Sequence, residues 1–171
     1  MANDRSKLVK PAAMPEEMFQ ALKESTASLK KIRGDAQADV EEYLANPEGR
    51  ATGKTGKMGL PTLLLTVIGR KSGKEHITPL IFVQFGDSYV VTGSLAGYDQ
   101  NPLWYLNIQA NPNCWIQIER NKMAAVARDA TEEERVRLWP KLAEMFPGLA
   151  YFQTQTERKF PIVILSPTGP A

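Results

Sequence analysis

The sequence predicts an α+β protein, an antiparallel sheet or barrel flanked by helices. Three observations carry that reading. From Pro61 onward the chain breaks into short apolar runs separated by two-residue turn signals, as hairpin-linked strands do. Residues 15–45 instead repeat apolar groups at helical spacing. Thr131-Glu132-Glu133-Glu134 is a capping box, which opens a helix among the strands.

Residues 1–13 read as a loose leader closed by Pro11. Pro15 ahead of Glu16 and Glu17 starts a helix, with proline in the first turn and acids at its positive end. Met18, Phe19, Leu22, Leu29 and Ile32 form its apolar side, and Gly34 weakens its middle. A second helical piece spans about Asp35 to Ala45 and ends at Asn46-Pro47-Glu48-Gly49. The glycine-rich, basic stretch 49–59 is a flexible loop. Strands are expected at 62–68, 76–85, 88–94, 113–119, 122–129 and 161–166, with tight turns at Gly86-Asp87 and Arg120-Asn121. Asn101 caps a helix with Pro102 at its first position, running to Ala110. The capping-box helix presents Leu138, Trp139 and Leu142 and stops at Pro147-Gly148, with a short helix or turn at 149–156.

A chain of 171 residues with 43% hydrophobic content buries a core without staples. It divides into an N-terminal leader and helical segment, 1–50, and a sheet domain, 51–171. One cysteine, Cys114, excludes an internal disulfide and fits a reducing compartment. With a single histidine, His76, no structural zinc site is expected. The polar N-terminus lacks a signal-peptide core, and no apolar run reaches the ~20 residues of a membrane span, so a cytoplasmic location is expected. A net charge of +2 is too small for general nucleic-acid binding. The charge is uneven, however. Arg50, Lys54, Lys57, Arg70, Lys71 and Lys74 occur between residues 50 and 74 without one Asp or Glu. That run reads as a solvated basic loop or as an anionic-ligand site, and the count alone does not decide.

No hydrolytic constellation, Walker motif or GxGxxG is present. Cys114, beside Trp115 in an apolar strand, reads as a buried inert thiol. The best candidate is the turn Gly69-Arg70-Lys71-Ser72-Gly73-Lys74. Arg70 can grip a phosphate or carboxylate with two prongs, Lys71 and Lys74 add point charges, and Ser72 and the Gly73 amide can donate to oxygens. The same residues also suit an ordinary soluble hairpin. Trp104 is either core or the wall of a ring pocket. His76 suits an anion contact, an acid or a plain strand position. Leu149, Tyr151, Phe152 and Phe160 either pack the last long helix on the sheet or form a mobile apolar lid.

The ordered motifs Leu63-Leu64-Leu65-Thr66, Gly69-Arg70-Lys71-Ser72-Gly73, Thr78-Pro79-Leu80, Gly93-Ser94 and Asn101-Pro102-Leu103-Trp104-Tyr105-Leu106-Asn107 resemble one family. So do Ala110-Asn111-Pro112, Ala127-Arg128-Asp129-Ala130-Thr131, Leu138-Trp139-Pro140, Thr156-Glu157-Arg158 and Pro161-Ile162-Val163. That family is the deazaflavin-dependent nitroreductases, or F(420)H2-dependent quinone reductases, and the resemblance covers about residues 60–167. It implies a mainly antiparallel split β-barrel with peripheral helices and an N-terminal helical segment. It implies reduced coenzyme F(420) as hydride donor to a quinone, nitro-aromatic or activated enone. The phosphate and glutamate tail would lie by Arg70, Lys71, Ser72 and Lys74, near His76, and the ring by Pro79, Thr92, Leu103 and Trp104. Ser94 would polarise the acceptor. Ile81, Leu149, Tyr151 and Phe152 would line the substrate side.

The chain also departs from the family. His76 stands where Arg is usual and Leu95 where Lys or Asn is common, and each lost charge-assisted contact is worth about 1.5–3 kcal/mol. Ile81, Leu149 and Phe152 stand where some members carry tyrosines, so a more apolar pocket is expected. Two other readings keep the barrel: a carrier of a lipid or apolar molecule that has lost F(420), and a reductase that uses FMN. An amphipathic N-terminal helix touching a membrane to meet quinones would favour the reductase, whereas packing on the barrel is its other role.

Overall fold

The computed structural model describes residues 8–56 and 58–171, so Lys57 of the basic run and most of the leader lie outside the described residues. The described elements are α1 (Glu16–Ser25), α2 (Leu29–Ala45), β1 (Thr62–Ile68), β2 (Glu75–Ile81), β3 (Val83–Phe85), β4 (Ser88–Thr92), α3 (Leu103–Ala110), β5 (Asn113–Ile118), β6 (Asn121–Asp129), α4 (Glu132–Met145), α5 (Gly148–Gln153) and β7 (Ile162–Pro170).

The strands form one antiparallel sheet in the order β2-β1-β5-β6-β7-β4-β3. β2 and β3 lie on opposite edges, yet only Phe82 separates them in the chain. The sheet must therefore curl until its edges meet at Phe82, whose N–H donates to the Pro61 carbonyl at 3.1 Å. This corrects the single strand expected over 76–85. One strand cannot pair continuously with both edges, so the chain breaks where it changes partner.

Side-chain alternation then sorts the residues. Leu63, Leu65, Val67, Val91, Ile116, Ala125, Val163 and Leu165 fill the barrel interior with Trp104 and Ile108 of α3. The opposite face of β3, β4 and β7 sends out Val83, Val90, Ile162 and Ile164, which α1, α4 and α5 cover through Phe19, Leu138, Leu142 and Leu149. α2 covers β1 through Val40 and Tyr43 against Leu64. The apolar side of α1 is thus turned to the protein, with Phe19 edge-on to Tyr151 at 6.2 Å. No helix among the described residues is long and apolar enough to cross a membrane.

Of the expected boundaries that move, four have a local cause. The break between the first two helices falls at 26–28, where Ser28 Oγ caps α2 by accepting from the Lys31 N–H, and α2 runs through Gly34. The β5–β6 turn is Glu119-Arg120, one residue early, because Ile118 pairs with Asn121 and Glu119 takes φ +53°. α3 starts after Pro102, and Asn101 caps nothing because its Oδ1 serves Arg158. β7 extends to Pro170, past the expected 166, by pairing with β6 across a bulge at Ala124/Ala125. The Gly86-Asp87 turn and the Thr131 capping box stand as expected.

The largest revision concerns the basic run. Arg50 is 1% exposed. It contacts Asp39 at 3.3 Å and Glu42 at 3.4 Å and lies 5.0 Å from the Tyr43 ring centroid. Its carbonyl accepts from the Thr62 N–H, which fixes it at the beginning of β1. Arg70, Lys71 and Lys74 follow the end of β1. About 20 Å of strand therefore separates the buried Arg50 from the exposed cations Arg70, Lys71 and Lys74.

Candidate functional site

The registers gather one rim of the barrel. β1, β4 and β6 end there, and β2, β5 and β7 begin there: Ile68 faces Glu75, Thr92 faces Ile162 and Asp129 faces Val163. The rim carries the 69–74 turn, the loop after Thr92, and α3.

The turn is closed by Gly69 N–H to Lys74 carbonyl and Gly73 N–H to Gly69 carbonyl, each 2.8 Å, with Gly73 at φ +68°. Ser72 Oγ accepts from the Lys74 N–H at 3.2 Å and lies 3.2 Å from His76 Nε2. Both side chains crowd Gly69, where a Cβ would come within 2.4 Å of Ser72 Oγ and 2.7 Å of His76 Nε2. Arg70, Lys71, Lys74 and His76 are exposed. Among the described residues, Arg70, Lys71 and Lys74 form no ion pair with a carboxylate, unlike Arg50, Arg120, Arg128 and Lys159.

Asn107 ties this turn to α3. It is 6% exposed, and its Oδ1 accepts from both the Arg70 backbone N–H and Arg70 Nη1, each at 3.1 Å. Leu103, at the start of the same helix, is 49% exposed, whereas Trp104 points into the interior and is 6% exposed. On the other side of α3, Tyr105 donates to Asp129 at 3.1 Å. Burial, and then the bond to Asp129, push its pKa up to about 12. A cleft of about 210 Å³ opens there, lined by Asn101, Tyr105, Asp129, Arg135 and Lys159.

Beyond Thr92, the chain passes Gly93 and Ser94 into a strained turn. Leu95, Ala96 and Gly97 have φ of +41°, +51° and +74°. The Gly97 N–H donates to the Ser94 carbonyl at 2.9 Å and the Tyr98 N–H to the Leu95 carbonyl at 3.1 Å. This is one turn of left-handed 3₁₀ backbone, costing roughly 1–2 kcal/mol at each non-glycine residue. Gly97 presses on α5, where a Cβ would lie 2.4 Å from the Phe152 carbonyl oxygen.

The structure thus brings Arg70, Lys71, Ser72, Lys74, His76, Thr92, Ser94 and Leu103 to one rim, with Trp104 beneath. Pro79 and Ile81 stand apart. They occupy the face of β2 opposite His76, and Ile81 pairs with Thr62 about 20 Å along the strand from Glu75. Leu149, Tyr151 and Phe152 are buried in the outer core layer under the 94–97 turn, packed rather than raised as a lid. Cys114 is buried, and burial alone pushes its thiol up to about 11. Among the described residues, no group of His, Cys, Asp and Glu could hold a metal ion.

Sequence reasoning quoted Asn107 and Arg158 only as members of family motifs and gave neither a role. A lone amide within the apolar stretch Trp104–Ile108 was a further signal for the first. Arg158 lies in the charged stretch Glu157-Arg158-Lys159, which looks like solvated surface.

An antiparallel sheet whose edges meet around an apolar interior defines a split-barrel protein, and its rim carries a cationic turn without carboxylate partners among the described residues. The family model described as F(420)H2-dependent quinone reductase matches residues 39–167. The chain belongs to that family and is an F(420)H2-dependent oxidoreductase. The Mycobacterium tuberculosis protein Rv3178, named for the same activity, is 38% identical over 108 residues, covering 63% of this chain and 91% of its own. The F(420)H2-dependent quinone reductase Rv1261c of the same organism is 29% identical over 109 residues, covering 62% and 73%. A solved F(420)H2-dependent reductase superposes with a TM-score of 0.58 at 34% identity, over 62% of this chain and 94% of that one. Another solved structure, described as a domain-swapped dimer, gives a TM-score of 0.59 at 31% identity, over 76% and 96%. The reductase reading therefore stands over the apolar carrier, and FMN is not required.

Proposed function

We propose that the rim running from the 69–74 turn to the Ser94 loop holds reduced F(420) and receives the quinone. The observation that carries this is a set of three exposed cations without carboxylate partners among the described residues, on a turn tied by Asn107 to the ring-side helix. The donor set fits the cofactor's anionic tail. Arg70 has its Nε and Nη2 donors for oxygens, Lys71 and Lys74 add charge, and Ser72 and His76 add hydrogen-bonding groups.

Bound F(420) supplies a hydride, and the protein's part is orientation, exclusion of water and stabilisation of charge. Exposed Leu103, at the start of α3, offers an apolar surface to a flat ring and keeps water from it, with Thr92 and buried Trp104 behind. The Ser94 hydroxyl polarises the acceptor carbonyl and stabilises the negative charge that hydride arrival creates there. Tyr151 and Phe152 shape this region from below, with Leu149, while Pro79 and Ile81 lie along the barrel wall. With Leu95 in place of a cation, selectivity falls to apolar contacts. Quinones are then the main acceptors, and nitro-aromatics or activated enones are accepted where they present a similar polarisable oxygen.

The test is anaerobic oxidation of F(420)H2 with menadione, followed by the return of deazaflavin absorbance. Turnover that Ser94→Ala slows at least tenfold supports the reading. Absence of turnover in the wild type, with no F(420) bound below about 100 μM, a weak affinity, refutes it.

A further inference from the structure

Arg158 is a half-buried cation whose donors all converge on the loop that presents Ser94. Its Nε donates to the Tyr98 carbonyl at 3.0 Å. Nη1 donates to the Gly93 carbonyl and to Asn101 Oδ1, both at 2.9 Å. Nη2 donates to the Ser94 carbonyl at 2.8 Å. The guanidinium lies 4.9 Å from the Phe160 ring centroid. Burial lowers its pKa and Asp99 partly restores it. The segment that carries it is itself held, because Gln153 of α5 donates to the Arg158 carbonyl at 2.7 Å and accepts from the Phe160 N–H.

Three backbone carbonyls and an amide oxygen that converge in a half-buried place repel one another unless a cation sits among them. A planar fork of five N–H donors meets several acceptors at once, which a lysine ammonium does not match. The loop so held is the one with the left-handed Leu95-Ala96-Gly97 backbone, a conformation that persists only where its surroundings over-determine it. We propose that Arg158 is the positioning residue of this oxidoreductase: it holds the strained turn so that the Ser94 hydroxyl is presented to the acceptor. This rests on the reading of Ser94 as the group that meets the acceptor.

The test compares wild type, Arg158→Lys, Ser94→Ala and the double variant. Amide exchange on ligand-free protein is one readout, and F(420) titration with kcat and KM for menadione is the other. Arg158→Lys should speed exchange across residues 93–101 at least tenfold while β1 and β7 stay protected. It should lower kcat at least tenfold and leave F(420) affinity within about threefold. Ser94→Ala added to it should cost less than a further twofold, since the lysine variant no longer presents that hydroxyl. Unchanged exchange in 93–101, or losses that multiply in the double variant, overturns the proposal. Should the lysine variant fail to fold, Arg158→Gln, which keeps a donating amide but not the fork, takes its place with the same readouts and the same deciding outcomes. A wild type that turns over no menadione refutes the functional reading instead, and the exchange arm still decides whether Arg158 holds the turn.

Discussion

Asn107 Oδ1 accepts two hydrogen bonds from one residue, the backbone N–H and the Nη1 of Arg70, both at 3.1 Å. This single buried amide fixes where the basic turn stands relative to α3, and so, in the proposed site, where a cofactor tail would stand relative to its ring. Asn107→Ala leaves the Arg70 N–H without that acceptor and frees the guanidinium, at a cost of about 1–3 kcal/mol. Asn107→Asp keeps the acceptor but puts a carboxylate beside the anion site. Fluorescence titration should show the Asp variant binding F(420) more weakly than the Ala variant. An Asp variant that binds like the wild type would contradict this arrangement.

Arg50 should matter for folding and not for the ligand. It is buried against Asp39, Glu42 and Tyr43 at the end of the sheet remote from the basic turn. Arg50→Ala leaves two carboxylates without their partner, and breaking such a pair costs roughly 3–5 kcal/mol when buried. Asp39 and Glu42 retain solvent contact, so a loss of about 2–3 kcal/mol in urea unfolding is expected. The F(420) affinity of the folded fraction should be unchanged.

Cys114 should be inert. With its pKa pushed up to about 11 by burial, little thiolate exists at neutral pH. Iodoacetamide at pH 8 should not label the native protein, and labelling should appear only in denaturant. Rapid native labelling accompanied by loss of turnover would give the thiol a role the structure does not assign it.

The start of α4 should be acid-sensitive. Arg128 and the Thr131 N–H hold the Glu134 carboxyl at about 2, against 4.5 in the absence of these contacts. A carboxyl with a lowered folded-state pKa contributes its full stability above pH 4.5 and loses it as pH falls from there toward 2. Unfolding at pH 3–6 should therefore show a shallower pH dependence in Glu134→Gln than in the wild type. Superimposable profiles would remove Glu134 from the capping box's energetics.

The legible parts of this fold were those set by local chemistry. The Thr131 capping box, the Gly86-Asp87 turn and the strand 62–68 depend on neighbours in sequence. The break at Phe82 depends on the closing of the whole sheet, which no local pattern encodes. The basic run was legible as charge and misleading as a cluster, because β1 lies within it and carries Arg50 and Arg70 to opposite ends. Within the proposed site, the turn was read from its charges and Ser94 from the family motifs. Arg158 stayed hidden because its partners, Gly93, Ser94, Tyr98 and Asn101, lie 57–65 residues away and three of the four acceptors are backbone carbonyls.

The central claim is that the 69–74 turn holds the anionic tail of F(420). Its most direct test is parallel titration of wild type, Arg70→Ala and Arg120→Ala with F(420). Arg120 is another exposed cation, on the β5–β6 turn at the far end of the sheet, paired with Glu48. Losing one charge-assisted contact of about 1.5–3 kcal/mol should weaken binding roughly ten- to hundredfold in Arg70→Ala. Arg120→Ala should bind as the wild type does. Equal affinities for the two variants would contradict the account.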